Sequence, residues 1–432
     1  MNKKVPTSKL SRSKVVGKAI LKIGAKKSKH LFSKTKKSKK DEEIADIIFD
    51  ALKELRGVSV KIAQQIALGM PFLSQEYLEK ISKSFNKIPP LNRALVRKII
   101  KNEFGKYPNE IFDTFNLQAF AGASLGQVHK AKIDGKKLAV KIQYPGIKES
   151  IKSDLSLLHF ALKRFAKGEN VEHIIKEIEN RLFEEVDYSL EAKNQELFRK
   201  NLNNENIVIP KVNLELSTNR VLTSEFIEGL SLDEFLKTNP SQELKNSYAQ
   251  LIFDNFFHSL YTLKRIHADP NPGNFLFLES GKLALIDFGC IKRVDDEFLQ
   301  SYNALHLDLL NGASDERLVE HYYNLNMIPN GSDKEKLEFY TEVIKPLDRI
   351  YIEPLANSSY EFNANNNFSK KSFEAIFEVQ KKSYNSVSQI NEEYLFLDRT
   401  LLGYYAIFEK IGAKIDTTYV KELMKKHIKK GG

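Results

Sequence analysis

The stretch His267-Ala268-Asp269-Pro270-Asn271-Pro272-Gly273-Asn274, followed by Ile286-Asp287-Phe288-Gly289, decides how this chain is read. Pro270 and Pro272 lack the N–H that a helix interior needs, so the first segment is a stiff loop. It sets a carboxylate, Asp269, five residues before an amide, Asn274. Asp287 adds a second carboxylate after two short apolar runs, 274–278 and 282–286, which read as strands around Ser280-Gly281. Asn274 and Asp287 are hard oxygen donors suited to Mg²⁺, which needs few protein ligands when phosphate supplies others. Asp269 suits the orientation or deprotonation of an attacking hydroxyl or water.

Upstream, Leu138-Ala139-Val140-Lys141-Ile142 places a lysine at the end of an apolar strand segment. A lysine there is costly to bury without an anionic partner, and ATP phosphates together with a helix glutamate would supply one. Lysine, then Asp-x-x-x-x-Asn, then Asp-Phe-Gly is the order of a kinase-type phosphoryl-transfer site. Either half alone is more often an ordinary turn or a solvated strand-edge lysine; order and spacing together make the signal specific. Glu191 is the expected partner of Lys141. It lies in a helical pattern over 172–199, where Glu184, Asp187 and Glu191 fall on one face at i, i+3 and i+7. Three acids on one face repel unless cations meet them. Ala121-Gly122-Ala123-Ser124-Leu125-Gly126-Gln127-Val128 stands where a glycine-rich phosphate loop is expected, and its small side chains let backbone N–H groups approach phosphate. His129, His258 and His267 show no metal-ligand spacing and read as structural.

Composition bounds the rest. The 432 residues, 42% apolar, suffice for one large two-lobed domain or two to three ordinary ones. A single cysteine, Cys290, excludes an intramolecular disulfide and fits a reducing, cytoplasmic setting. No run approaches the length of an apolar spanning helix, and the basic N-terminus lacks a signal-peptide core. Charge is uneven. Residues 1–40 hold 14 Lys and one Arg with no acid, a charge of +15, which leaves −4 for residues 41–432 of a chain whose total is +11. Within that tail Lys14, Lys18 and Lys22 recur every four residues beside Val15, Ala19, Ile20 and Ile23, a short cationic amphipathic helix suited to an anionic membrane surface. The first aromatic is Phe32, so the tail lacks the interleaved stacking residues of single-strand nucleic-acid binders.

Along the chain, helical periodicity is expected from residue 44, then over 58–68, 76–85 and 91–104, with Gly105 as the stop of the last. Strands follow at 127–133 and 137–143 around the turn signal Asp134-Gly135. A helix over 148–165, a strand over 220–227 and a long helix over 242–266 come next, and everything beyond residue 300 reads helical apart from an Asn-rich loop at 363–367.

Taken together the motifs resemble the UbiB/AarF family of atypical, protein-kinase-like kinases, over about residues 41–415. Lys61-Ile62-Ala63-Gln64 resembles its K-x-G-Q motif, 121–128 its alanine-rich A-A-A-S-[IL]-G-Q-V loop, 139–146 its lysine strand and Glu185-Val186-Asp187 its E-x-D motif. Glu191 falls where the family's ion-pairing glutamate does, and Leu397-Asp398-Arg399-Thr400-Leu401-Leu402-Gly403-Tyr404-Tyr405 also resembles it. Ala63 departs from the motif's glycine and Gly122 from an alanine of the loop.

The resemblance implies an α+β, two-lobed protein-kinase-like fold with an N-terminal all-helical extension. The expected organisation is a basic tail over 1–40, the extension over 41–105, an N-lobe over 106–227 and a helical C-lobe over 228–432. It implies ATP and Mg²⁺ as cofactors, with Ala121, Gly122, Ala123, Ser124, Lys141 and Glu191 on the nucleotide, Asn274 and Asp287 on the metal, and Asp269 catalytic. Lys61 and Gln64 would approach Glu185 and Asp187 and occupy space a protein substrate needs, a regulatory arrangement. The implied activity is slow ATP hydrolysis or phosphoryl transfer supporting quinone or isoprenoid-lipid biosynthesis, in company with quinone-pathway proteins or lipids, at a membrane surface without a spanning segment. Two alternatives stand beside it: a true protein or small-molecule kinase, and a nucleotide-binding pseudokinase scaffold, against which the retained Asp269 argues.

Overall fold

The protein is described here by a computed structural model covering residues 90–427, except 124, 166–169, 329, 364, 373 and 376–390, with scattered positions among the first 89. The helices expected over 58–68 and 76–85, with Lys61 and Gln64, lie outside the described residues, as does Ser124. Of the tail, positions 14, 15, 17, 18, 21 and 22 are helical. The chain divides into two compact units, one of residues 1–193 and 212–226, the other of 194–211 and 227–432.

The first unit is built on an antiparallel sheet of order β1-β3-β4-β6, with β2 on β3. Its strands are β1 (Thr114–Phe115), β2 (Ala121–Ala123), β3 (Gly126–Ile133), β4 (Lys136–Gln143) and β6 (Val221–Glu225). The β3–β4 register follows from the turn: Asp134 (φ 48°) and Gly135 (φ 73°) both take the left-handed region that a two-residue hairpin requires, and Ile133 faces Lys136. One face carries Ala131, Leu138, Val140, Ile142 and Val221. It is covered by Val96, Ile99 and Ile100 of helix α1 (Arg93–Phe104), which Asn92 caps and which stops at Gly105, the stop its sequence predicts. Helices α2 (Pro108–Ile111), α3 (Ile147–Phe165) and α4 (Asn170–Glu185) complete the unit, with the first turns of α5 (Tyr188–Asn201).

The helix expected over 172–199 is broken. Gln143 Nε2 donates to the Val186 carbonyl at 2.8 Å, taking the acceptor that an unbroken helix would use for its next turn. The Asp187 carboxylate then accepts from the backbone N–H groups of Ser189 (3.1 Å) and Leu190 (3.2 Å) and starts α5 afresh. Glu184, Asp187 and Glu191 therefore do not share one continuous helix face.

Among the described residues the second unit holds three small sheets. β5 (Ile207–Val208) pairs parallel with β9 (Leu283–Leu285), which pairs antiparallel with β8 (Phe275–Phe277); β10 (Ile291–Arg293) pairs with β7 (Arg265–His267). Helix α6 (Leu232–Lys237) carries the capping box Ser231–Glu234. Helix α7 (Gln242–His258) ends in a wider π turn, Ser259–Leu263, and Lys264 reverses the chain at φ 52°, so the helix stops short of Ile266, which belongs to β7. Beyond residue 300, among the described residues, the expectation of helix alone fails at one ribbon. Helices α8 (Asp296–Leu310), α9 (Asp315–Asn324), α10 (Asp333–Phe339), α11 (Lys345–Ala356), α12 (Glu392–Ile411) and α13 (Thr418–Lys426) are joined by a ribbon of β11 (Ser359–Glu361) with β12 (Lys414–Asp416). Two three-residue strands are too short for periodicity to reveal. An aromatic core including Phe253, Phe256, Phe275, Phe288, Tyr322, Tyr405 and Phe408 holds this unit together. Among the described residues no helix is long and apolar enough to cross a membrane.

Candidate active site

In the first unit, Lys141 sits on β4 between Val128 of β3 and Leu222 of β6. Neighbours on both edges fix its backbone, and pleat alternation turns it to the face opposite the α1-covered core. Its Nζ donates to both oxygens of Glu191, at 2.7 and 2.9 Å. Glu191 stands in the first turn of α5, where the helix dipole favours an anion. Its side chain is only 1% exposed and that of Lys141 16%, and the Tyr188 ring lies 5.0 Å from Nζ. The pair expected from sequence is thus formed, although the break at Val186 and Asp187 is what aims it.

Ala121, Gly122 and Ala123 form β2 and pair with Val128, Gln127 and Gly126. The first two are exposed. Gly126 is tight: a Cβ there would stand 2.4 Å from the Ile142 carbonyl oxygen and 2.6 Å from the Tyr188 hydroxyl, whereas one on Gly122 would meet nothing within 4 Å. Behind the hairpin His129 is buried and structural. Its Nδ1 donates to the Asn116 carbonyl (2.8 Å), its Nε2 accepts from Gln127 Nε2 (2.7 Å), and burial lowers its pKa. Glu185 ends α4 and Asp187 caps α5, both half-buried.

In the second unit, the loop after β7 is held by its own polar groups. Asn274 Nδ2 donates to the Asp269 carbonyl (3.0 Å) and reaches the Asp269 carboxylate at 3.4 Å, while Asn271 Oδ1 accepts from the Gly273 N–H at 2.9 Å. The Ile286 N–H donates to the Asn274 carbonyl at 3.1 Å, so the β8–β9 pairing delivers Asp287 beside Asn274. The Asp287 carboxylate accepts from the Gly289 N–H at 3.0 Å. Phe288 is fully buried against Phe198, and Asn194 donates to its carbonyl. His267 Nε2 donates to the Asp287 carbonyl at 2.6 Å, joining loop and Asp-Phe-Gly directly.

The donor set fits a hard divalent cation. The Asn274 amide nitrogen is engaged with Asp269, so its carbonyl oxygen is the atom that would meet a cation, and Asp287 would add a carboxylate. Two contacts from α12 are not legible in the sequence as part of the site. Gly403 lies on Pro270, and the Tyr404 hydroxyl donates to the His267 carbonyl at 3.0 Å. The resemblance of the 397–405 stretch signals that this helix matters, but it assigns no residue a role.

Comparison with known proteins agrees with this architecture. The family model of the ABC1 atypical kinase-like domain matches residues 83–322. The probable serine/threonine-protein kinase abkA of Dictyostelium discoideum is 27% identical over 457 aligned positions, covering 96% of this chain and 79% of that protein. Atypical kinase COQ8B, mitochondrial, of Rattus norvegicus is 30% identical over 337 positions, 75% of this chain and 61% of that protein, so the chain spans less than two thirds of its length. Among solved structures, Rv3197 of Mycobacterium tuberculosis, determined in complex with erythromycin, is 26% identical with a TM-score of 0.63, covering 90% of this chain and 96% of that one. The likeness extends to the kinase-like fold. The matched span takes in more than half of the chain, from the alanine-rich loop to the Asp-Phe-Gly, and the protein belongs to the ABC1, or UbiB/AarF, family of atypical kinases.

Proposed function

We propose that the protein binds ATP with Mg²⁺ and catalyses slow hydrolysis or phosphoryl transfer at a membrane surface, in support of quinone or isoprenoid-lipid biosynthesis. The observation that carries the nucleotide reading is the Lys141–Glu191 pair. A carboxylate that is 1% exposed holds an ammonium through two hydrogen bonds at a strand position where lysine is otherwise costly. A pair built this way presents a fixed positive charge to phosphate. In this reading Asn274 and Asp287 would hold Mg²⁺, which neutralises charge on the transferring phosphoryl group when bound. Asp269 orients the attacking oxygen and receives its proton, and its main chain is kept in place by the Asn274 amide. The names of abkA and COQ8B, both kinases, support the enzyme class. The membrane and lipid parts rest on family resemblance and on the +15 tail.

The test is ATP turnover by the purified full chain, with and without Mg²⁺, anionic liposomes and quinone-like lipids, beside thermal-shift titration. Asp287→Asn should abolish the Mg-ATP-dependent stabilisation, because loss of a direct charge on the metal costs on the order of several kcal/mol. Stabilisation of wild-type size in that variant would overturn the metal assignment. Absence of turnover by the wild type under every lipid condition would overturn the catalytic one.

A further inference from the structure

Helix α12 lies beyond the family-model match, which ends at residue 322, yet it bears on the loop that carries Asp269. A Cβ built on Gly403 would stand 2.2 Å from Pro270 Cγ and 2.8 Å from Pro270 Cβ, closer than side chains pack, so the helix backbone rests on the proline ring. One residue on, Tyr404 is 3% exposed and its hydroxyl donates to the His267 carbonyl. Burial, with the Asp269 carboxylate next in effect, pushes its pKa up and keeps that donor protonated. His267 in turn donates from its ring to the Asp287 carbonyl.

The loop's own hydrogen bonds fix its shape. They do not fix where it stands against the rest of the unit. Helix α12 is anchored firmly enough to do so: Leu397, Leu401, Tyr405 and Phe408 are buried, and Asp398 accepts from the Tyr302 hydroxyl of α8 at 2.7 Å.

We propose that Gly403 and Tyr404 are positioning residues for this site: Gly403 sets the seat of Pro270, and Tyr404 holds the His267 carbonyl, so that α12 fixes the Asp269 loop and, through His267, the Asp287 backbone. The inference rests on the reading of Asp269 and Asp287 given above. The competing view is that Tyr404 is one more core tyrosine whose loss loosens the whole unit.

The full chain is compared as wild type, Tyr404→Phe and Tyr405→Phe. Tyr405 is the control, equally buried, its hydroxyl without a hydrogen-bond partner among the described residues. Two readouts are taken. In hydrogen–deuterium exchange, Tyr404→Phe should speed exchange of the 267–274 amides about tenfold, the size of one neutral hydrogen bond, while peptides of α8 and α13 stay at wild-type rates. Tyr405→Phe should leave the loop unchanged. In steady-state turnover, Tyr404→Phe should lower kcat about tenfold with KM for ATP unchanged, and should cause no further loss in an Asp269→Asn background. Gly403→Ala should exceed Tyr404→Phe in both readouts; if it does not fold, Tyr404→Phe still decides. Loop exchange at the wild-type rate overturns the proposal, as does an increase spread evenly over the unit. A wild type that turns over no ATP defeats the functional reading, and the exchange experiment then decides the positioning role alone.

Discussion

Lys141 and Glu191 test what a buried ion pair is for. Glu191 sits at 1% exposure, so Lys141→Met leaves a buried carboxylate without its lysine and should destabilise the first unit by about 3–5 kcal/mol. Replacing both partners, Lys141→Met with Glu191→Leu, removes the buried charge and should recover most of that loss. The recovered protein should still show no thermal shift with Mg-ATP, because the cation proposed to meet phosphate is gone. Denaturant unfolding and the nucleotide shift, measured on the same three proteins, separate the two roles. Recovery of both stability and the nucleotide response in the double variant would show that the pair serves the fold alone. Two buried groups of the second unit give a second test, one of sign. Burial raises Asp398 from 3.8 to about 7 and lowers His306 from 6.5 to about 4. Between pH 4 and 7 the folded chain keeps a proton on Asp398 that the unfolded chain has released, so this group makes stability fall as pH rises. Between pH 4 and 6.5 the unfolded chain binds a proton at His306 that the folded chain lacks, so that group makes stability rise. The two face one cluster. Tyr302 donates to Asp398 and its carbonyl accepts from His306, while Tyr322 and Tyr340 donate to Asp348, whose pKa burial also raises. Relative to wild type, Asp398→Asn should gain stability from pH 4 to 7, and His306→Gln should lose it from pH 4 to 6.5, each with a steepest slope of about 1.4 kcal/mol per pH unit. Chemical unfolding across that range reads both slopes, and parallel curves for all three proteins would rule the assignment out.

At the scale of elements, local chemistry was legible and distant contacts were not. Asp134-Gly135 announced the β3–β4 hairpin because its turn needs two left-handed residues in succession, and Gly105 announced the end of α1. The spacing of Lys141, Asp269, Asn274 and Asp287 stands out in the sequence because each role proposed for them demands one residue type. The break between α4 and α5 was not, since apolar Leu182 and Val186 continue a helical period; what ends the helix is Gln143, far back in the chain. Gly403 and Tyr404 were equally silent. A Gly-Tyr pair inside an apolar helix reads as core, and the partners that give it meaning, Pro270 and His267, are more than 130 residues away. The β2–β3 hairpin offers a prediction of its own. Restoring the family's alanine with Gly122→Ala meets open space and should stabilise by about 0.4–1 kcal/mol through the unfolded chain. Gly126→Ala drives a methyl into the Ile142 carbonyl next to Lys141 and should cost about 1–3 kcal/mol while weakening the nucleotide response. Melting temperatures with and without Mg-ATP distinguish them, and equal behaviour of the two variants would contradict the close approach at Gly126.

For the molecule as a whole, the uneven charge bears on the membrane attachment proposed above. Fifteen positive charges in residues 1–40 precede a remainder of −4, so attraction to an anionic surface would fall on the tail and not on residues 41–432. Helical backbone at 14, 15, 17, 18, 21 and 22, with Leu21 75% exposed, suits a short amphipathic segment that lays apolar side chains into the headgroup layer. Each lysine near such a surface is worth about 1 kcal/mol, and only some can approach at once, so the sum would suffice for the reversible attachment proposed. Deleting residues 1–40 should therefore abolish sedimentation with phosphatidylserine-containing liposomes and leave the Mg-ATP thermal shift unchanged. For the full chain, raising the salt to about 0.5 M should release most of the bound protein, because screening then acts over only a few ångströms. Neutral phosphatidylcholine vesicles should retain little of it at any salt. Equal sedimentation of the truncated and full chains would move the membrane contact off the tail. Loss of the nucleotide response on truncation would instead tie residues 1–40 to the ATP site.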